Sequence, residues 1–205
     1  MRVMQNETSD EAARVREFFS ARAARWDARF PDDGPAYQAA VGGLALREGD
    51  AVLDAGCGTG RALPPLRAAV GSGGTVLGAD LTPEMLRAAV RAGRDTCAHL
   101  LLADVCRLPL RDGRLDAVFA AGLISHLAGP DSGLTELARV VRPGGTLALF
   151  HPVGRAALAA RHGRALSPHD VRAEPNLRAL LADSGWRLTS YADEDDRYLA
   201  LAART

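Results

Sequence analysis

Glycine recurs at every second position in Val52-Leu53-Asp54-Ala55-Gly56-Cys57-Gly58-Thr59-Gly60. An apolar run that reaches an aspartate and breaks into such a turn brings backbone N–H groups close to a ligand, because glycine has no Cβ to hold it off. Two more apolar runs end in acid: Val76-Leu77-Gly78-Ala79 in Asp80, and Leu100-Leu101-Leu102-Ala103 in Asp104. One acidic strand end serves equally as a helix cap or turn residue. Three together suit a ligand that carries an ammonium, a ribose diol and an exocyclic amine. The glycine register excludes the dinucleotide fingerprint, which needs glycine where Arg61 stands, and no Gly-Lys-Ser/Thr follows to make a phosphate loop. Asp80 lies 20 residues beyond Gly60, a spacing that dinucleotide folds also use for ribose, so it does not by itself identify the cofactor.

Composition removes other chemistries. The 205 residues include 25 basic and 25 acidic side chains, so no global field draws the chain to nucleic acid or anionic membrane. Every basic residue is arginine, which leaves no lysine for a Schiff base, a phosphate loop or a general base. The three cysteines, Cys57, Cys97 and Cys106, lack disulfide or zinc spacing, and a reducing cytoplasm is the expected location. His162, His169 and Asp170 have no ligand-type spacing either, and no metal is expected. No apolar run reaches the ~18 residues of a membrane span.

The elements that must position these residues alternate from Ala51 onward. Strands are predicted at Ala51–Asp54, Thr75–Asp80, Ala98–Ala103, Leu115–Ala121 and Thr146–His151. Helices lie between them at about Leu63–Val70, at Pro83 to about Arg91 behind a Thr82 cap, and at Leu134–Val141. Such alternation implies right-handed crossovers and a parallel sheet covered on both faces. A helical stretch around Val153–His162 and a helix at Asn176–Asp183 follow. The strands Trp186–Asp193 and Tyr198–Ala203 stand too close in sequence for a crossover and form a hairpin. Ahead of the alternation, one helix spanning Arg14 to Asp27, a breaker at 31–35 and a second helix over Ala36–Leu44 make a cap. The whole is expected to be a single domain over 1–205, with the cap at 1–46 and a Rossmann-like core at 47–205.

Asp-x-Gly-x-Gly-x-Gly, together with Leu108-Pro109-Leu110 ahead of Leu115-Asp116-Ala117-Val118-Phe119 and with Leu137-Ala138-Arg139-Val140-Val141-Arg142-Pro143-Gly144-Gly145, resembles the class I S-adenosylmethionine (SAM) dependent methyltransferases of the small-molecule, ubiquinone- and menaquinone-type group. The resemblance is strong over 51–151 and weak over 152–185. It implies a doubly wound seven-stranded α/β sheet of order 3-2-1-4-5-7-6 with strand seven antiparallel. It also implies SAM as cofactor and S-adenosylhomocysteine (SAH) as product. By the same resemblance Gly56, Gly58 and Gly60 form the cofactor loop, and Asp54 meets the methionine amino group. Asp80 accepts the ribose hydroxyls. Leu81 and Met85 flank the adenine, with Asp104 and the Val105 amide at its edge, and Ala121 lets backbone approach the sulfonium. Arg22-Ala23-Ala24-Arg25-Trp26-Asp27 resembles a helix that folds over the cofactor; Arg22 would pair its carboxylate and Trp26 would close the pocket. A surface arginine and a core tryptophan are the competing readings.

Methyl transfer is an in-line displacement that needs alignment, exclusion of water and, for a protonated nucleophile, a base. His126 and His151, just past strand ends, are the candidates, each competing with a role as pocket wall. The expected function is methyl transfer to an O, N or C atom of a small molecule, without nucleic acid, by a monomer or homodimer. The alternatives are a SAM-binding protein that does not methylate (a cyclase or regulator) and, further off, an NAD-dependent oxidoreductase.

Overall fold

The computed structural model describes residues 2–29 and 33–205, with side chains from residue 10 onward. Positions 31 and 32 of the predicted breaker lie outside them. Seven strands form one sheet of order β3-β2-β1-β4-β5-β7-β6: β1 Ala51–Ala55, β2 Thr75–Asp80, β3 His99–Leu102, β4 Leu115–Ala121, β5 Val141–His151, β6 Trp186–Glu194 and β7 Arg197–Arg204. The first five run parallel, and β7 lies antiparallel between β5 and β6. The helices are α1 Arg2–Ser20, α2 Trp26–Arg29, α3 Gly34–Gly42, α4 Leu63–Val70, α5 Pro83–Arg91, α6 Pro130–Val140, α7 Arg155–Arg161 and α8 Glu174–Asp183.

Successive residues of each central strand feed opposite cores, as the period of two requires. Leu53, Val118 and Leu147 pack with Leu137 of α6 and Leu181 of α8. Their neighbours Val52, Ala117, Phe119 and Ala148 pack with Val41 of α3 and Leu66 of α4 on the other face. Both faces are covered, which is why these strands read as unbroken apolar runs. The buried Trp186 donates its indole N–H to Leu134 O at 2.9 Å and ties the hairpin to α6.

Several element ends shift by one or two residues, including α3, which starts at Gly34 inside the expected 31–35 breaker, and three boundaries differ more. The first helix ends at Ser20, and a 3-10 turn at Ala23–Arg25 leads into α2. In a straight helix Phe19 and Trp26 would stand about 10 Å apart along the axis; the bend brings their ring centroids to 5.5 Å. Helix α6 starts at Pro130, four residues early, with the proline at its first turn. Strand β5 takes in Arg142-Pro143-Gly144-Gly145, expected as a turn, through a register irregularity against β4. Asp116 anchors that corner, accepting from the Ala51 amide at 2.8 Å and from Arg142 Nε at 2.6 Å.

Candidate active site

The carboxyl ends of β1, β2, β4 and β5 open into one cavity of about 990 Å³, closed from the front by α1, α2 and α3. The switch point falls between β1 and β4, where the strand order reverses.

Gly56, Gly58 and Gly60 all have positive φ, at 68°, 55° and 81°. A Cβ on Gly56 would also stand 2.8 Å from Leu123 Cδ1. Gly56 and Gly58 line the cavity, whereas Gly60 turns to Leu63, Ala89 and Arg94. The amides of Cys57, Gly58 and Gly60 are already spent, on Ala79 O, Asp80 Oδ2 and Cys57 O. The loop is therefore a close-approach surface rather than a ring of free N–H donors, which disfavours a phosphate ligand.

Asp80 is fixed by that Gly58 amide at 2.8 Å and by the Thr82 amide at 2.7 Å. Burial raises its pKa, and the two amides pull it back. Each oxygen keeps a lone pair for a further donor. Asp54 is different: it is 2 % exposed, lines the cavity and makes no hydrogen bond among the described residues. Burial, then the nearby Asp80 charge, push its carboxyl up to about 8. Such a group calls for a cation.

A group of the opposite charge lies next to the loop. Arg61 lines the cavity with its side chain 11 % exposed, 3.6 Å from Asp33 Oδ2. The atom that faces Asp33 is Nη1, which is buried and makes no hydrogen bond among the described residues. Its guanidinium stands 5.7 Å from the Tyr37 ring, and both Asp54 and Arg61 act electrostatically on the Tyr37 phenol, which burial first of all raises. Sequence reasoning used Arg61 only to exclude another fold. Its side-chain charge beside a ligand loop was the available signal.

Leu81, the buried Met85, Asp104 and the buried Val105 line the β2–β3 side, with Asp104 Oδ1 accepting from the Cys106 amide at 2.8 Å. Ala121 lines the centre, and Arg22 and Trp26 line the front. Arg22 lies with its guanidinium 3.7 Å from the Phe18 ring centroid and donates to Phe18 O at 2.8 Å. Asp27 of α2, quoted in the sequence reading without a role, accepts from Thr59 Oγ1 at 2.6 Å and from Arg94 Nη1 at 2.6 Å. Nothing in the sequence links these three positions.

His126 and His151 both line the cavity. His126 meets Phe19 edge to face at 5.1 Å. Burial, followed by Arg172, lowers its pKa. His151 ends β5 with Nδ1 at 2.8 Å from Val153 O, and burial lowers it as well. When Nδ1–H donates to that carbonyl, Nε2 keeps the lone pair. Tyr198, Arg172 and Arg161 complete this end of the cavity and had no part in the sequence expectation.

Residues 53–149 match the model of a methyltransferase domain. The chain is 33% identical over 142 residues to a malonyl-[acyl-carrier protein] O-methyltransferase of Serratia marcescens, covering 69% of this chain and 53% of that protein. It is 37% identical over 119 residues to methyltransferase GfsG of Streptomyces halstedii, covering 56% and 42%. The chain thus spans about half the length, or less, of these curated relatives. A crystal structure of a SAM-dependent methyltransferase from Aquifex aeolicus superposes with a TM-score of 0.74 at 25% identity, covering 91% of this chain and 98% of the other.

Proposed function

We propose that this chain, whose residues 53–149 match a methyltransferase domain, is a class I SAM-dependent methyltransferase that transfers a methyl group to a nucleophilic atom of a small molecule. The observation that carries the reading is that a buried carboxyl without a hydrogen bond and a guanidinium line one cavity beside the glycine turn. Among the described residues Asp54 has a carboxyl with no hydrogen bond, and Arg61 has an Nη1 that makes no hydrogen bond and faces only Asp33 Oδ2, at 3.6 Å. They match the ammonium and carboxylate of an amino-acid tail.

When bound, SAM supplies a methyl group activated by sulfonium. The chain's own residues bind and orient it. Asp80 accepts the ribose diol, its oxygens fixed by the Gly58 and Thr82 amides. Leu81, Met85 and Val105 enclose the adenine, and Asp104 accepts its amine. Asp54 holds the ammonium, and Arg61, rather than the Phe18-bound Arg22, holds the carboxylate. Ala121 leaves room beside the sulfonium. Trp26 and Phe19 keep water out. His151, or His126 behind Phe19, takes the proton of the acceptor; both are neutral near pH 7 because burial lowers their pKa values.

Calorimetric titration with SAH tests the cofactor half. SAH should bind and NADH should not. Asp80→Ala should weaken SAH by at least about 100-fold, since a charged acceptor of two hydroxyls is lost. Unchanged SAH affinity in that variant would remove Asp80 from the site.

A further inference from the structure

We propose that the methyl acceptor is an organic acid, its carboxylate held by Arg172 and the Tyr198 hydroxyl at the β5–β7 end of the cavity. The inference rests on the methyltransferase reading and deepens it.

Charge divides along the sheet. The acids that line the cavity are Asp54, Asp80 and Asp104, at the ends of β1 and β2 and beyond β3, with Asp33 beside Arg61 at the front. On the β4–β5–β7 side the basic lining residues are His126, His151, His162, Arg161, Arg164 and Arg172. No carboxylate faces them from that side of the lining. Arg161 and Arg164 are exposed and have no ion-pair partner among the described residues. A cationic acceptor would be repelled here, and an anionic one drawn in.

Two buried groups then supply a fixed site. Tyr198 faces His151 across the β5–β7 pairing, is 1 % exposed, and its hydroxyl has no hydrogen-bond partner among the described residues. Burial raises its pKa, so it stays a donor. The Arg172 side chain is 16% exposed. One edge is bidentate on Asp170, with Nε at 3.2 Å and Nη2 at 3.1 Å, and Nη1 has no partner among the described residues. Asp170 is shared with Arg155, which also pairs with Asp193. That chain of charges holds Arg172 in place and leaves one edge of its guanidinium for a ligand. Arg172 acts electrostatically on Tyr198, His126 and His151 alike, so the four groups address one region. A guanidinium edge plus a phenol donor matches a carboxylate. Phe18, Phe19, Leu127 and Leu158 line the same cavity and suit an apolar body.

The test uses the full chain saturated with SAH and two matched probe pairs: 4-hydroxybenzoate with 4-hydroxybenzamide, and octanoate with octanamide. Binding is read by saturation-transfer NMR and calorimetry. At least one acid should bind about tenfold tighter than its amide. Tyr198→Phe and Arg172→Gln should each cut that preference to about threefold or less, with SAH affinity unchanged. Tyr198→Phe removes a hydroxyl that holds nothing in the fold, so it decides the matter even if Arg172→Gln fails to fold. Amides that bind as well as acids, variants that keep the preference, or no acid bound at about 10 mM would overturn the proposal. Failure of SAH itself to bind would instead bring down the methyltransferase reading beneath it.

Discussion

At the scale of single residues, the Asp54–Arg61 pair has a consequence that separates binding from folding. If Arg61 holds the carboxylate of the amino-acid tail, its loss matters only to ligands that have the tail. Arg61→Met should weaken SAH by about tenfold or more and leave 5′-methylthioadenosine, which lacks the tail, within about twofold. Calorimetry on both ligands reads the difference, and equal losses would make Arg61 a structural support. The placement of side chains that follows from local sequence, such as Asp80 at the end of its strand, was legible. Arg61 was legible only as a type, because the surroundings of its Nη1 depend on where Asp33 and Tyr37 lie after folding. Tyr198 reads as an ordinary strand aromatic; its unsatisfied hydroxyl exists only in the paired sheet.

At the scale of elements, the front segment is joined to the cofactor loop through few polar contacts. Asp27 holds Thr59 and Arg94, Arg94 also donates to Thr59 O at 2.7 Å, and Ser20 donates to Glu84 at 2.7 Å. Asp27 is partly exposed, so Asp27→Ala should cost only about 1 kcal/mol of global stability. Its local effect should be larger, because α2 has a single turn and no buried residue of its own. Amide exchange should speed up over residues 20–29 while β1, β4 and β5 keep their protection. Uniform acceleration across the sheet would mean that the contact supports the whole fold. Here the sequence was informative in proportion to locality. Helices α4 and α5 carry their start and stop signals within themselves and were placed to the residue. The bend after Ser20 is set by Phe19 meeting Trp26 and His126, which no local pattern records.

At the scale of the whole molecule, sheet order was legible because alternation, crossover handedness and the closing hairpin leave few topologies, and the resemblance named one of them. What alternation could not show is the balance of buried charge, and that balance sets how stability depends on pH. The folded-state pKa of Asp54 is raised to about 8, with Asp80 raised as well. Between the ordinary carboxylate pKa near 4 and that value, the folded state binds the proton that the unfolded state has released. Stability of the ligand-free protein therefore falls as pH rises through this window. His126 and His151 act in the opposite sense: lowered in the fold, they withdraw stability as pH drops below about 6.5. A ligand that places an ammonium on Asp54 favours its ionised form and cancels only the first slope. The stabilisation produced by saturating SAH, read as a rise in Tm, should thus grow from pH 6 to pH 8, by up to about 1.4 kcal/mol per pH unit at the limit of full coupling. Binding near pH 7 should release a proton, seen as a buffer-dependent calorimetric enthalpy. Asp54→Asn should flatten the pH dependence of the SAH shift and suppress the proton release, while the loss of stability below about pH 6.5 persists, since the two histidines are untouched. A wild-type SAH shift that stayed constant over that range would show that Asp54 is already ionised before the ligand arrives.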